Sequence, residues 1–260
     1  MRILFLGDIV GRPGRTAVKN ELAAVRADEG VDFIIANGEN ASGGLGLSAK
    51  SARELLGAGV DVLTGGNHIW KFRDLPGMMV SEQRLLRPAN YPEGAPGRGW
   101  AVYRPEGLPP VAVLNLQGRT YMQETDCPFR TAEAVLAGLP EDAAIRVVDF
   151  HAEATSEKKA MGWFLDGRCS AVLGTHTHVQ TADARILPGG TGYLTDAGMC
   201  GSQDSCLGVK SEIIIRKFLT GLPQRFEVAA ANVVLQGAIF ELDDSTGRAT
   251  SFRLWERPCR

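Results

Sequence analysis

The amino-acid sequence predicts an α/β fold that contains some parallel sheet. Short apolar runs rich in Val, Ile, Leu and Phe alternate with stretches that have the apolar spacing of helices. Runs of this kind are typical of buried strands, and each of them here ends at a polar residue. The five runs are Arg2–Gly7, Phe33–Gly38, Val62–Gly66, Ile145–Phe150 and Ala171–Thr175.

Four other stretches are predicted to be helices. The first places Val18, Leu22 and Val25 at helical spacing and stops before a glycine. The second opens with Ser51 and Glu54, which have the spacing of a capping box. The four predicted helices are Thr16–Asp28, Ser51–Gly57, Pro128–Leu139 and Glu212–Leu219.

The remaining segments predict strands and loops within one domain. Glu227–Leu242 and Arg248–Trp255 resemble antiparallel strands joined by a turn at Asp243–Gly247. Ala89–Pro110 is rich in proline and glycine, which predicts a long surface loop with at most a short strand at Trp100–Tyr103. Because no shift in composition divides the chain, we expect a single domain over residues 1–260.

Composition excludes several classes of protein. The formal net charge is −2, so there is no global basic field for a nucleic-acid backbone, and any phosphate recognition must be local. We therefore expect no stable nucleic-acid partner. No apolar run approaches the roughly 20 residues of a membrane span, so no membrane partner is expected either. The five cysteines lack Cys-x-x-Cys spacing, which favours reduced thiols and a cytoplasmic location. A homo-oligomer is left open.

Each of the five predicted strands ends at a residue that can bind a metal ion. In open α/β sheets, ligands bind beyond the carboxyl ends of the strands. A turn would explain Asp8 alone equally well, whereas Glu39 after an apolar run is costly unless it is paired or metal-bound. Chance explains one or two such residues more easily than five. The five residues are Asp8, Glu39, Asn67, His151 and His176.

Neighbouring residues enlarge this set and indicate which metals it would hold. Asn40, His68 and His178 adjoin the strand-end residues. Two histidines one residue apart point the same way in an extended strand, or splay onto two ions where the strand is ending. Carboxylate, carboxamide and imidazole groups suit iron, manganese or zinc better than calcium. Seven candidate ligands are too many for one ion and about enough for two.

Three motifs carry a resemblance to a known family. Gly-Asp-Ile-Val-Gly at 7–11, Asn-Gly-Glu-Asn at 37–40 and Asp-Phe-His-Ala-Glu at 149–153 resemble the YmdB-type branch of the calcineurin-like metallophosphoesterase superfamily. The similarity runs from residue 1 to about Gly208. It implies a four-layer αββα metallophosphoesterase sandwich with mixed sheets, and phosphodiesterase activity on cyclic nucleotides.

The resemblance also implies a role for each candidate ligand. The wider superfamily has a histidine where this chain has Val10, and it bridges its two metals with aspartate rather than glutamate. The resemblance to the YmdB-type branch implies that Asn40 takes the place of the missing histidine at the first metal. The implied ligands are Asp8, Asn40 and His178 for the first metal, Asn67, His151 and His176 for the second, and Glu39 as the bridge.

His68 is left over as a non-ligand that directly follows a ligand. We assign it the role of general acid that protonates the leaving alkoxide; the alternative is that it only orients a phosphate oxygen. A hydroxide that bridges the two metals would attack phosphorus in a 2′,3′-cyclic or 3′,5′-cyclic nucleotide. Four cations are expected to be solvated surface charges rather than catalytic groups: Arg12, Arg15, Arg119 and Lys158.

Three other functions remain open at this point. The same site could serve a phosphomonoesterase or a phosphoprotein phosphatase. A regulatory protein could bind a cyclic nucleotide and turn it over slowly. A metal amidohydrolase or deaminase is a third alternative, but such enzymes typically carry their His-x-His pair on the first strand rather than late in the chain, as at His176 and His178 here.

Overall fold

Two mixed β-sheets lie face to face in the structure, a computed structural model that describes residues 1–259. The first sheet contains β1 (Arg2–Leu6), β2 (Asp8–Ile9), β3 (Phe33–Asn37), β4 (Val62–Thr64), β11 (Met199–Ser202), β12 (Val233–Leu242) and β13 (Ala249–Pro258). The second contains β5 (Trp100–Tyr103), β6 (Val111–Gln117), β7 (Ile145–His151), β8 (Ala171–Thr175), β9 (Arg185–Ile186) and β10 (Gly192–Leu194).

Across residues 1–259, six α-helices connect these strands. They are α1 (Gly11–Glu29), α2 (Ala49–Gly57), α3 (Leu75–Ser81), α4 (Pro128–Ala137), α5 (Thr155–Leu165) and α6 (Ser211–Thr220). Within residues 1–259, none of the helices is long and apolar enough to cross a membrane.

Each sheet has a parallel centre. The first sheet has the order β2-β11-β12-β1-β3-β4, in which β1, β3 and β4 are parallel and β12 runs antiparallel to β1. Because β13 pairs along the length of β12, β1 and β11 share the opposite edge of that strand. The second sheet has the order β5-β6-β7-β8-β10-β9, with β6, β7, β8 and β10 parallel. The carboxyl ends of the parallel strands therefore lie along one edge of each sheet.

Three apolar cores hold the sheets and helices of residues 1–259 together. Along β1, Ile3 and Phe5 point to the core between the two sheets, whereas Leu4 and Leu6 point to the core under α1 and α2. This alternation follows from the two-residue period of a strand. A third core packs the outer face of the second sheet against α4 and α5. The layers are thus helix, sheet, sheet and helix, which confirms the four-layer αββα sandwich with mixed sheets.

Two helices begin earlier than predicted. α1 begins at Gly11 rather than Thr16. Pro13 is tolerated in its first turn because backbone amides of the first turn have no acceptor within the helix, so the amide hydrogen that proline lacks is not needed there. α2 begins at Ala49, and its N-cap is Ser48, whose side chain accepts a hydrogen bond from the Ser51 amide. The capping box predicted at Ser51 is therefore wrong.

Other elements went unpredicted. The sequence patterns do not predict the buried interior strand β6 or the helices α3 and α5. The segment Ala89–Pro110 is also not wholly at the surface, because Asn90 and Tyr91 are buried. The largest correction concerns Lys158, which was expected to be a solvated charge. It lies on α5 with 1% of its surface exposed, and it pairs with Asp196.

Candidate metal centre

The predicted site residues converge at the carboxyl ends of five strands. Asp8, Glu39 and His151 are wholly buried there, and their side chains come within hydrogen-bonding range of the others. Their convergence follows from the topology, because the two sheets face each other and their parallel strands end at a common edge. The eight side chains brought together are Asp8, Glu39, Asn40, Asn67, His68, His151, His176 and His178.

One half of this cluster surrounds His151. Its Nε2 lies 3.0 Å from Asn67 Oδ1, 3.1 Å from Glu39 Oε1 and 3.0 Å from His176 Nδ1. Its other nitrogen, Nδ1, lies 2.9 Å from the hydroxyl of Thr175. When Nδ1 carries the ring proton and donates a hydrogen bond to that hydroxyl, Nε2 has a lone pair that faces the acceptor atoms of Asn67, Glu39 and His176. Such a convergence of lone pairs fits a cation.

The other half surrounds the amide of Asn40. Its Nδ2 lies 3.4 Å from Asp8 Oδ1, 3.2 Å from Glu39 Oε1 and 3.1 Å from His178 Nε2. Three acceptors thus face one amide group. A half-turn of this amide about its χ2 axis would bring Oδ1 to the same place, where it would complete an acceptor set for a second cation.

The backbone directs the two histidines of the Thr-His-Thr-His segment into different halves of the cluster. β8 ends at Thr175, and both His176 (φ 101°) and His178 (φ 62°) adopt positive φ. Non-glycine residues rarely adopt such angles, and the strain is typical of functional sites. The segment is therefore not extended. His176 reaches His151, whereas His178 reaches Asp8 and Asn40.

Asp149 supports the cluster from behind, and the sequence did not single it out as a site residue. Its Oδ1 accepts a hydrogen bond of 2.7 Å from the Thr175 hydroxyl, which in turn faces His151 Nδ1. Its Oδ2 accepts hydrogen bonds from Asn37 and Thr64. Burial raises the pKa of Asp149 to about 6, although His151 and these hydrogen bonds oppose that rise. Carboxylates in this position fix the orientation of metal-binding histidines.

A buried ion pair holds the strained segment in place. Lys158 Nζ donates to the Thr175 carbonyl at 2.8 Å and pairs with Asp196 at 2.5 Å, and Asp196 also accepts from the Thr177 amide at 3.1 Å. Outside this pair, Glu153 Oε2 lies 3.2 Å from His176 Nε2. That contact leaves Nδ1 of His176 to face the cluster. Glu153 belongs to the Asp-Phe-His-Ala-Glu motif, which was the available signal for its role.

The charges of the cluster suit ligands of a metal ion. Burial raises the pKa of Glu39, but His151 and His68 outweigh this effect and hold it well below its usual value. Burial lowers the pKa of His176 to about 3, which keeps its ring neutral. Burial also lowers the pKa of His178, but Asp8 more than reverses this and raises it to about 9. A metal ion at this point would displace that proton.

His68 lies at the rim of the cluster with 36% of its side chain exposed. Its Nδ1 is 3.2 Å from both Asn40 Oδ1 and Glu39 Oε1, and its backbone amide donates to Glu39 Oε2 at 3.0 Å. The ring is therefore anchored through Nδ1, so that Nε2 is the nitrogen free to meet a substrate.

The fold and the site together place the chain among the metallophosphoesterases, the class that the sequence motifs indicate. Comparison with known families is more specific. The chain belongs to the YmdB-like protein family, whose model matches residues 4–254.

Individual relatives agree with this assignment. The chain is 48% identical over 249 residues to a 2′,3′-cyclic-nucleotide 2′-phosphodiesterase of Bacillus subtilis, an alignment that covers 96% of this chain and 94% of the relative. A crystal structure of a protein of Thermus thermophilus described as hypothetical has a TM-score of 0.94 at 40% identity, with both chains fully covered. A structure described as a novel phosphatase from Mycoplasma pneumoniae has a TM-score of 0.92 at 35% identity, covering 100% of this chain and 94% of that one.

Proposed function

We propose that this protein is a dinuclear-metal phosphodiesterase that hydrolyses 2′,3′-cyclic nucleotides. The observation that carries the proposal is the pair of buried acceptor sets around His151 and Asn40, with Glu39 common to both. The cyclic-nucleotide substrate is carried over from the Bacillus subtilis relative, whose similarity spans nearly the whole chain.

The donor sets fit two ions. Asp8, Asn40 and His178 would hold the first and Asn67, His151 and His176 the second, with Glu39 between them. We propose iron or manganese, with zinc also compatible, because the set combines carboxylate, amide and imidazole groups and contains no thiolate. When bound, the ions supply positive charge that activates a water molecule and attracts the phosphoryl oxygens.

The protein's own groups orient the substrate and move a proton. Water adds to phosphorus, the bond from phosphorus to the 2′ oxygen breaks, and that oxygen leaves as a hydroxyl group of a 3′-monophosphate. We propose that His68 donates the proton from Nε2, because Nδ1 is held by Glu39. The buried Glu39, Asp8 and His151 exclude bulk water from the floor of the site.

A phosphomonoesterase is the second candidate, since the Mycoplasma pneumoniae structure is described as a novel phosphatase. Mono- and diesters can bind the same donor set, so a comparison of substrates must separate the two functions. A 3′,5′-cyclic nucleotide tests the second class of cyclic substrate that the sequence leaves open. Very slow turnover combined with tight binding would favour a regulatory protein.

The experiment compares 2′,3′-cyclic AMP, 3′,5′-cyclic AMP and p-nitrophenyl phosphate with metal-loaded wild-type protein. The His151→Ala variant serves as the inactive control. We expect the 2′,3′-cyclic substrate to have the highest kcat/KM and to yield 3′-AMP. A higher kcat/KM for the monoester would overturn the proposal in favour of a phosphomonoesterase.

Location and association are proposed on separate grounds. The five cysteines are all free thiols in the structure, which supports a reducing compartment such as the cytoplasm. An apolar surface on α6 and the segment after it supports a homo-oligomer. Its exposed side chains are Ile215, Phe218, Leu219, Leu222 and Phe226.

A further inference from the structure

A groove between the outer faces of α1 and α2 concentrates positive charge beside the candidate metal centre. The groove has a volume of about 730 Å³. Its walls carry five cations and one carboxylate, in a chain whose net charge is −2. They are Arg12, Arg15, Lys19, Lys50, Arg53 and Glu54.

Helix geometry aligns these cations. Arg12, Arg15 and Lys19 recur at helical spacing on one face of α1, and Lys50 and Arg53 do the same on α2. With a rise of 1.5 Å per residue, the cations of α1 extend over about 10 Å. The positive charge is therefore spread along the groove rather than gathered at one point.

Most of this charge is unpaired. Glu54 Oε2 binds Arg15 Nε at 3.0 Å, which neutralises one of the five cations. Arg12, Lys19, Lys50 and Arg53 are exposed, and no carboxylate in residues 1–259 forms an ion pair with them. Neither α1 nor α2 has an acidic residue in its first turn, while Arg12 and Lys50 lie there. Cations at a helix N-terminus oppose the helix dipole, so the helices themselves do not offset the positive charge of Arg12 and Lys50.

One end of the groove lies beside the backbone that follows Glu39 in the candidate metal centre. The Gly11 amide donates to the Asn40 carbonyl at 2.9 Å, and Arg15 donates to the carbonyl of Ala41, the residue after Asn40. The same Asn40 contributes its side chain to the acceptor set with Asp8 and His178. The groove and the acceptor set around Asn40 therefore lie on adjacent parts of the molecule.

We propose that the groove binds the phosphate backbone of single-stranded RNA whose 3′ end carries a 2′,3′-cyclic phosphate, so that RNA ends are substrates of this enzyme. The net charge alone predicts no stable nucleic-acid partner, and the groove changes that expectation because its positive charge is local. This inference rests on the proposed function. A mononucleotide has one phosphate, which the metal centre would take, leaving the four unpaired cations without a partner. An oligoribonucleotide supplies further phosphates on the 5′ side of its terminal nucleotide. A positively charged groove that follows the backbone is typical of proteins that bind single strands.

The test replaces the outer cations and leaves the metal centre intact. The groove variant is Lys19→Glu, Lys50→Glu, Arg53→Glu. The control variant makes the same change in charge on the opposite side of the sandwich, as Arg130→Glu, Lys159→Glu, Arg185→Glu, three exposed residues. The substrates are 2′,3′-cyclic AMP and an oligoribonucleotide of about ten nucleotides that ends in a 2′,3′-cyclic phosphate.

We expect the groove variant to raise KM for the oligoribonucleotide by at least about tenfold, with kcat and all constants for 2′,3′-cyclic AMP unchanged. The slope of log KM against log salt concentration should fall by about 2, because fewer counterions are released on binding. Equal KM and equal salt dependence in the groove and control variants would overturn the proposal while leaving the cyclic-nucleotide activity standing.

Direct binding separates this proposal from failure of the proposed function. Fluorescence anisotropy measures binding of a labelled RNA of the same sequence that ends in a 3′-phosphate. This RNA has no cyclic ester for the enzyme to hydrolyse. Loss of binding in the groove variant alone supports the groove even when no cyclic nucleotide is turned over. Equal binding by the wild-type, groove and control proteins contradicts it.

Discussion

Gly66 packs so closely against His151 that a Cβ at this glycine would overlap the imidazole ring. The same Cβ would overlap Glu39 Oε2. The residue before Asn67 must therefore be glycine for the acceptor set around His151 to form. The site depends on a missing side chain as much as on the side chains that line it.

Gly66→Ala should abolish the metal centre without unfolding the protein. The added methyl group must displace His151 or Glu39, and overpacking of this kind costs about 1–3 kcal/mol of stability. Metal content and hydrolysis should both fall to the level of His151→Ala. Gly57→Ala is the matched control, since a Cβ added at Gly57 would meet nothing within 4 Å and should leave activity unchanged. Full activity in Gly66→Ala would refute this geometry.

Asp149→Asn should weaken metal binding while preserving the fold. Asp149 accepts through both carboxylate oxygens, whereas asparagine has one acceptor oxygen and an NH2 group. The NH2 group must then face either Thr175 or the donors Asn37 and Thr64, which disturbs the hydrogen bonds that orient His151. Loss of such a supporting carboxylate typically lowers metal affinity by about 10–100-fold. Titration with Mn²⁺ measures the change. Thr175→Ser keeps the hydroxyl and serves as the control; an affinity in Asp149→Asn equal to that of the wild type would exclude the supporting role.

His68→Ala should separate metal binding from catalysis. If His68 donates the proton, the variant retains its metals while hydrolysis of 2′,3′-cyclic AMP slows by about 10²–10⁴-fold. Bis(p-nitrophenyl) phosphate should be much less affected, because p-nitrophenolate leaves without protonation. An equal loss of activity for both substrates would favour the alternative in which His68 only orients a phosphate oxygen. Loss of metal from the variant would indicate that His68 is itself a metal ligand.

Asp243, in the turn between β12 and β13, should make the stability of the protein depend on pH. Hydrogen bonds from Ser245 and Thr246 lower the pKa of Asp243 to about 2 from its usual 3.8. Its stabilising effect should be complete above about pH 4 and disappear as the pH falls through 2. The difference in Tm between wild type and Asp243→Asn should follow that course, with exposed Glu106→Gln as the charge-matched control. A pH-independent difference would contradict the assignment.

The sequence predicts those parts of the fold that local patterns determine. An apolar run that ends at a candidate metal ligand marks β1, β3, β4, β7 and β8. The strand β6 is equally buried, but it follows two prolines and ends at Gln117, which carries no such mark. The turn at Asp243–Gly247 is likewise evident from its residue types alone.

Features that depend on long-range contacts could not be predicted in this way. Lys158 resembles a surface charge because its partner, Asp196, lies 38 residues further along the chain. The supporting role of Asp149 requires Thr175 from the neighbouring strand. The cations of the basic groove are ordinary in the sequence and adjoin only because α1 and α2 pack side by side.

Metal analysis combined with hydrolysis tests the central claim most directly. Wild-type protein purified without chelator should contain about two metal ions per chain and hydrolyse 2′,3′-cyclic AMP. Glu39→Ala removes the carboxylate shared by both acceptor sets, so it should lose metal from both and lose activity with it. Undiminished hydrolysis by Glu39→Ala, or by wild-type protein that analysis shows to be free of metal, would contradict the two-metal account.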